Sequence, residues 1–282
     1  MGRVVAAVDL GASRTRAALY VDREELAYIV SDTPRSPNGA AVTFNVMRMI
    51  EELVHRTGLS PSIISIASIG PINYKSGNVE NTPNHPAPLI PLRSFIEERL
   101  NIPVLLLNDA VAGAWAEYNY RRSHGVRDLV YIAIGTGIGV GAVVSGRLLL
   151  GRRGDSHEAG HIVVDLGSSV RCGCGGIGHL EALASGRAHR EGIPYSMARR
   201  ALAAGIASII ACYDPEVIVF GGGFYYSGLI DLKELARLTG SYAFQGRLPR
   251  FEEAHYGDKA NLYGAYLAAI RPTEEILRLN IW

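Results

Sequence analysis

Asp9-Leu-Gly-Ala-Ser-Arg-Thr15 and Gly135-Thr-Gly-Ile-Gly-Val-Gly141 are turns rich in glycine and hydroxyl residues, each set between two apolar runs. With no Cβ in the way, backbone N–H groups of such turns can converge on an anion such as phosphate. The first turn adds Asp9 at a strand end. A carboxylate there can hold phosphate-bound Mg²⁺ through water, because that ion keeps most of its hydration shell. Asn108-Asp109 follows a buried-type apolar run and precedes a helix-like one. Two readings stand for this pair: Asn and Asp are favoured helix N-caps, and an acid at the carboxyl end of a strand is where α/β proteins gather catalytic bases.

His157-Glu-Ala-Gly-His161 matches H-E-x-x-H, the pattern of a zinc-protease helix. Gly160 inside it, the preceding Gly-Arg-Arg-Gly-Asp and the lack of a third ligand downstream speak against that use. If the segment forms a helical turn, Glu158 and His161 lie three apart on one face and can address one ligand. Cys172-Gly-Cys174-Gly-Gly-Ile-Gly-His179 places four glycines among two Cys and a His, poor core material but a good metal knuckle. With His161 upstream it offers two Cys and two His, a tetrahedral structural zinc set; the alternative is a loop with two reduced thiols. Cys212, in a helix of Ala and Ile, reads as a buried small hydrophobe.

These residues need elements to position them, and strands and helices alternate along the chain. Val4–Val8 and Arg16–Tyr20 read as a hairpin across the first turn, and Ala41–Arg56 as a helix with Val42, Phe44, Val46, Met47, Ile50 and Leu53 at helical spacing. Ile63–Ile69 is a short strand, residues 73–91 a long loop rich in Pro, Asn and Gly, and Leu92–Leu100 a helix. Val104–Leu107 is a buried strand and Ala110–Tyr120 a helix. Leu129–Ile134, the second glycine turn and Ala142–Leu150 repeat the opening strand–turn–strand unit. Gly137-Ile-Gly139-Val-Gly-Ala142 fits G-x-G-x-x-A, but that fingerprint must open a helix, and Ala142–Leu150 reads as strand. Ser196–Tyr213 is a long helix, Val217–Phe220 a buried strand with Gly221-Gly-Gly223 as the turn after it, and Leu262–Ile270 a small-residue helix.

The chain has 282 residues, 48% hydrophobic and 20% charged, with a formal net charge of +1, which suits a folded protein with a real core and two domains. The charges form no basic face of the kind a nucleic-acid binder carries. The apolar start enters a glycine turn too soon for a signal peptide, and no stretch reaches the roughly 18–20 apolar residues of a membrane span. Three cysteines, two of them in one C-x-C, fit a reducing compartment. The expectation is a soluble, cytoplasmic α/β protein with neither nucleic acid nor membrane as partner.

Asp9–Thr15, Asn108-Asp109, Gly135–Gly141, Glu158-Ala-Gly-His161 and Cys172–Glu181 occur in an order that resembles the ROK family, which groups repressors, open-reading-frame proteins and sugar kinases within the actin/hexokinase/Hsp70 superfamily. The resemblance implies an α/β fold of two ribonuclease-H-like (actin-like ATPase) domains with an active-site cleft between them. The boundaries it suggests are residues 1–110 for a smaller domain, completed by a C-terminal helix 262–282, and 111–261 for a larger one with nucleotide-binding turns and the zinc knuckle. It implies ATP-dependent phosphorylation of a hexose, glucose first, at its 6-hydroxyl, with Asp109 as general base. Asn84, Asn108, Asp109, Glu158, His161 and Glu181 would hold the sugar. Asp9, Gly11, Ser13, Thr15, Thr136, Gly137, Gly221, Gly222 and Gly223 would surround Mg·ATP, with Asp9 on Mg²⁺ through water and the nucleotide between the two glycine-rich turns. His161, Cys172, Cys174 and His179 would hold a structural Zn²⁺, and the protein would be a homodimer or another homo-oligomer.

The sequence departs from the family pattern in three places. Ala12 and Ser13 replace Gly and Thr in the first turn, His179 replaces the third cysteine of the knuckle, and a proline-rich stretch (Pro86, Pro88, Pro91) replaces the usual aromatic after the sugar-loop Asn. Fructose, mannose or N-acetylmannosamine are the alternative acceptors, and a non-catalytic sugar sensor is the alternative function. Asp9 stands too near the start of the sequence for the N-terminal helix-turn-helix of a ROK repressor.

Overall fold

A computed structural model describes residues 2–154 and 157–280. In chain order the first half contains β1 (Val4–Leu10), β2 (Arg14–Val21), β3 (Glu24–Asp32), α1 (Ala40–Thr57), β4 (Ile63–Ser68), β5 (Ile72–Asn73), β6 (Asn78–Glu80), β7 (Leu89–Pro91), α2 (Arg93–Leu100), β8 (Val104–Asn108) and α3 (Asp109–Arg121). Then follow β9 (Leu129–Ile134), β10 (Ile138–Val144), β11 (Arg147–Leu148), α4 (Leu180–Ala184), α5 (Gly186–Arg190), α6 (Tyr195–Tyr213), β12 (Val217–Gly221), α7 (Leu232–Gly240), β13 (Arg250–Glu253), α8 (Ala260–Ile270) and α9 (Glu274–Asn280). The chain forms two compact units, one of Met1–Ala116, Leu150–Ser156 and Asn261–Trp282, the other of Glu117–Leu149 and His157–Ala260.

In the first unit a five-stranded sheet has the order β3-β2-β1-β4-β8. Its first three strands are antiparallel neighbours, and β4 and β8 extend it in parallel from β1. Val5, Ala6, Ala7 and Val8 of β1 are fully buried, as expected for a strand covered on both faces. α1 turns Val42, Val46, Met49, Ile50 and Leu53 inward and ends where Gly58 takes φ +69° and donates to the Val54 carbonyl at 2.8 Å. Each such fully buried aliphatic side chain contributes about 1.5–3 kcal/mol of transfer free energy.

The second unit's sheet has the order β11-β10-β9-β12-β13, with β9, β10 and β11 antiparallel and β12 and β13 parallel to β9. Strand order and directions repeat those of the first unit. Ile132, Ile134, Val140, Ile218 and Phe220 of this sheet pack with Leu202, Ile206 and Ile209 of α6 in one apolar core.

Several local expectations are corrected. Residues 73–91 are not all loop: β5, β6 and β7 form a small antiparallel sheet, too short and too broken by Pro and Gly to show a period of two. β10 begins inside the glycine run and stops at Ser145-Gly146, both at positive φ, so the strand expected over Ala142–Leu150 is a hairpin corner. The helix expected over 262–282 is two helices, α8 and α9, interrupted at Pro272, and residues 281–282 lie outside the described ones. Cys212 is exposed rather than buried, on the outer side of the last turn of α6. Among the described residues no helix is long and apolar enough to cross a membrane.

Candidate functional site

Asp9 is the last residue but one of the buried strand β1, is only 3% exposed, and its Oδ2 accepts a hydrogen bond from Arg16 Nη1 at 3.1 Å. Arg16 is its cross-strand partner in the β1–β2 register. Between these strands Gly11 N–H donates to Arg14 O at 3.1 Å, closing the first turn with Ser13 at its exposed tip. Thr33, just past β3, buttresses the turn: its N–H donates to Ser13 O at 3.1 Å and its hydroxyl to Gly11 O at 2.7 Å. Thr15 is fully buried with its hydroxyl 2.8 Å from that of Thr33, so its side chain braces the turn from inside.

In the same unit Asn108 and Asp109 stand where β8 gives way to α3. Asn108 Oδ1 accepts from Val111 N–H at 3.2 Å and Asp109 Oδ1 from Ala110 N–H at 2.7 Å, so both side chains take part in starting the helix. The backbone N–H of Asn108 donates to Tyr74 Oη at 3.2 Å. Asn84 Oδ1 is buried with no hydrogen-bond partner, an acceptor that a ligand hydroxyl would satisfy.

In the second unit Gly135 N–H donates to Gly137 O at 2.9 Å, and α5 closes on the turn through Gly186 N–H to Gly135 O (2.9 Å) and Arg187 N–H to Thr136 O (3.1 Å). Gly222, at φ +98°, passes so near the Ile134 backbone that any Cβ would collide with it. Gly221 is buried, Gly223 exposed, and Thr136 and Gly137 half-buried. The helical turn Ala159–His161 brings Glu158 Oε2 within 3.6 Å of His161 Nε2. Gly160 is required there, since a Cβ would strike the Ile138 carbonyl of β10. His157 does not join His161: its Nδ1 faces Tyr213 Oη at 2.8 Å and its Nε2 the Leu149 carbonyl at 2.7 Å, and burial pushes its pKa down.

The knuckle brings four ligands together. Cys172 Sγ lies 3.5 Å from His161 Nδ1, Cys174 Sγ lies 3.3 Å from His179 Nδ1, and ligand atoms of all four residues fall within 4.8 Å of one another. A tetrahedral zinc with bonds of about 2.0–2.3 Å suits such a set after slight contraction. Burial first, and the neighbouring His161 second, push the His179 pKa down and favour the neutral imidazole that a metal requires. Because His161 offers Nδ1 to the cluster and Nε2 on the Glu158 side, one ring can serve a metal and a second ligand.

Glu181 is 3% exposed; its Oε2 accepts from Ile138 N–H at 2.9 Å, and its Oε1 stands 3.7 Å from Arg187 Nη2 and 3.8 Å from Cys172 Sγ. Sequence reasoning missed Arg16, Thr33, Tyr74 and Arg187. For Arg16 a signal existed, since a hairpin across the first turn sets Asp9 opposite it.

Two sheets of one strand order, each opened by a glycine turn between its first antiparallel strands, make this an α/β protein of the actin-like ATPase class. The ROK family model matches residues 5–193 and 194–271. A glucokinase from Aeropyrum pernix is 34% identical, covering 96% of this chain and 98% of its own length. Among solved structures, a ROK hexokinase from Thermus thermophilus is 31% identical with a TM-score of 0.77, covering 95% of this chain and 99% of its own. A ROK glucokinase from Streptomyces griseus, in complex with glucose and AMPPNP, is 26% identical with a TM-score of 0.79, covering 93% and 97%. The chain belongs to the ROK family.

Proposed function

We propose that this protein is an ATP-dependent sugar kinase that transfers the γ-phosphoryl group of ATP to the 6-hydroxyl of a hexose, with glucose the favoured acceptor. Asp109 carries the reading: a half-buried carboxylate at the carboxyl end of a parallel strand, beside Asn108, in a chain of this family. Asp109 Oδ1 accepts from Ala110 N–H at 2.7 Å, which orients the carboxylate, and the carboxylate is the group suited to take the sugar proton. As the proton leaves, the hydroxyl oxygen bonds the γ-phosphorus and the bond to the ADP oxygen breaks. Asn108, whose Oδ1 caps α3, offers Nδ2 as a donor, and Asn84 offers its buried Oδ1 as an acceptor.

Glu158, His161 and Glu181 supply the remaining sugar contacts, carboxylates being able to accept from neighbouring hydroxyls. The nucleotide is assigned to Asp9, Gly11, Ser13, Thr15, Thr136, Gly137 and Gly221–Gly223, which surround it with the backbone of the turns and the Asp9 carboxylate. Mg²⁺, when bound, neutralises phosphate charge, with Asp9 holding it through water while Arg16 orients that carboxylate. Zinc, when bound by His161, Cys172, Cys174 and His179, orders the glycine-rich knuckle that leads into Glu181.

ADP release from ATP, measured across glucose, fructose, mannose and N-acetylmannosamine, tests the reading. Turnover with the highest kcat/KM for glucose is expected. A preference for another sugar would move the substrate, and no turnover with any would favour a sugar sensor.

A further inference from the structure

Thr33-Pro34-Arg35 leaves β3 as a short strap with two sides. Thr33 is fastened to the first glycine turn through Gly11 O, Ser13 O and the Thr15 hydroxyl. The other side reaches the loop that carries Asn84. His85 Nε2 lies 2.8 Å from Pro34 O, and Arg35 Nη1 donates to Asn84 O at 3.4 Å and to Ala12 O at 3.5 Å. His85 is 7% exposed, and its Nδ1 accepts from Ala87 N–H at 3.2 Å. Those two bonds fix the ring as the Nε2–H tautomer, since Nδ1 must accept and Nε2 must donate. A buried ring with both nitrogens engaged is a rigid pin, unlike the exposed Arg35 contact beside it.

We infer that His85 is a positioning residue, pinning the sugar loop to the strap so that the Asn84 amide stands at a fixed place relative to the Asp9–Thr15 turn. The inference rests on the proposal that Asn84 binds the sugar. It gives the segment after Asn84 a role that its prolines alone do not: His85 turns inward to anchor the loop. Substrate placement is sensitive to small shifts of a contact group, so loss of the pin should weaken sugar recognition more than the chemical step.

The test is steady-state kinetics on the full chain with glucose, comparing His85→Leu, His85→Gln, Asn84→Ala and the Asn84→Ala/His85→Leu double variant. His85→Leu should raise the glucose KM by about tenfold, the scale of one lost hydrogen bond, with kcat and the ATP KM within about twofold of wild type. His85→Gln keeps an N–H donor of similar reach and should recover most of the glucose KM. If His85 acts through Asn84, the double variant should bind glucose no worse than Asn84→Ala alone. Asn84→Ala separates the two ideas, because a wild-type glucose KM there would overturn the sugar reading of Asn84 and this inference with it. A raised KM in Asn84→Ala with a wild-type KM in His85→Leu, full additivity in the double variant, or no recovery with Gln would overturn the inference alone.

Discussion

Glu181 and Ile138 are joined by a 2.9 Å hydrogen bond from the Ile138 N–H to Oε2, which ties a residue two places after His179 to the first residue of β10, inside the second glycine turn. Under the proposed function, this carboxylate has a sugar-binding task beside the structural one. Glu181→Ala should cost about 1–3 kcal/mol in urea unfolding, because the buried N–H of Ile138 loses its acceptor. Glu181→Gln, which keeps a carbonyl oxygen, should recover most of that stability while still raising the glucose KM. Equal stability of wild type and Glu181→Ala would show the bond to be dispensable.

The Cys₂His₂ cluster makes a compositional prediction. Elemental analysis of the purified protein should find about one zinc per chain, and Cys172→Ser should lower both metal content and the midpoint of thermal unfolding, because metal binding is coupled to folding. His179→Cys should retain the metal, since thiolate and imidazole are interchangeable zinc ligands. A metal-free protein of wild-type stability would remove the cluster from the structure's needs.

α9 is fastened to the sheet by a side chain acting like a strand. Asn280 Oδ1 accepts from Leu106 N–H at 2.8 Å, its Nδ2 donates to Leu106 O at 3.0 Å, and Arg93 Nη2 donates to the same Oδ1 at 2.6 Å. Burial pushes the Arg93 pKa down, which marks the cost of keeping that cation in place. Asn280→Ala should therefore destabilise by about 1–3 kcal/mol in urea unfolding. It should also reduce activity, since Leu106 lies on the strand that delivers Asn108-Asp109. Unchanged stability would show α9 to be held by packing alone.

His157 sets an acid limit on stability. Burial lowers its pKa in the folded chain below the ordinary value of about 6.5. As pH falls, the unfolded chain therefore takes up the proton first. The contribution is complete above about pH 6.5 and is lost as pH drops toward the lower, folded value. A thermal midpoint that falls more steeply below about pH 6.5 in wild type than in His157→Gln would bear this out, and parallel curves would refute it.

Much of the site is legible in the sequence because its chemistry is local. The turn at Asp9–Thr15, the Asn108-Asp109 pair and the run from His161 to His179 are each short strings whose spacing carries the geometry. The strands beside the turns are likewise apolar runs bounded by glycine. What spacing does not carry is tertiary. Thr33 meets Gly11, Ser13 and Thr15, His85 meets Pro34, and Arg187 meets Glu181, each through chain geometry that no local pattern encodes. β3 lies at a sheet edge with most of its residues partly or fully exposed, so it needs no strong apolar alternation. The inward turn of the Thr15 hydroxyl is likewise set by the strand's pleat and by Thr33, neither of which the turn's own string displays.

The most direct test of sugar phosphorylation with Asp109 as base is the rate of ADP formation from Mg·ATP and saturating glucose in wild type and Asp109→Asn. The Asn side chain keeps the size of the carboxylate and an oxygen for Ala110 N–H but cannot take the sugar proton. The kcat should fall by about 10²–10⁴-fold, the range for loss of a positioned general base, while glucose binding measured by calorimetry remains. A variant that turns over at the wild-type rate would contradict the assignment of Asp109.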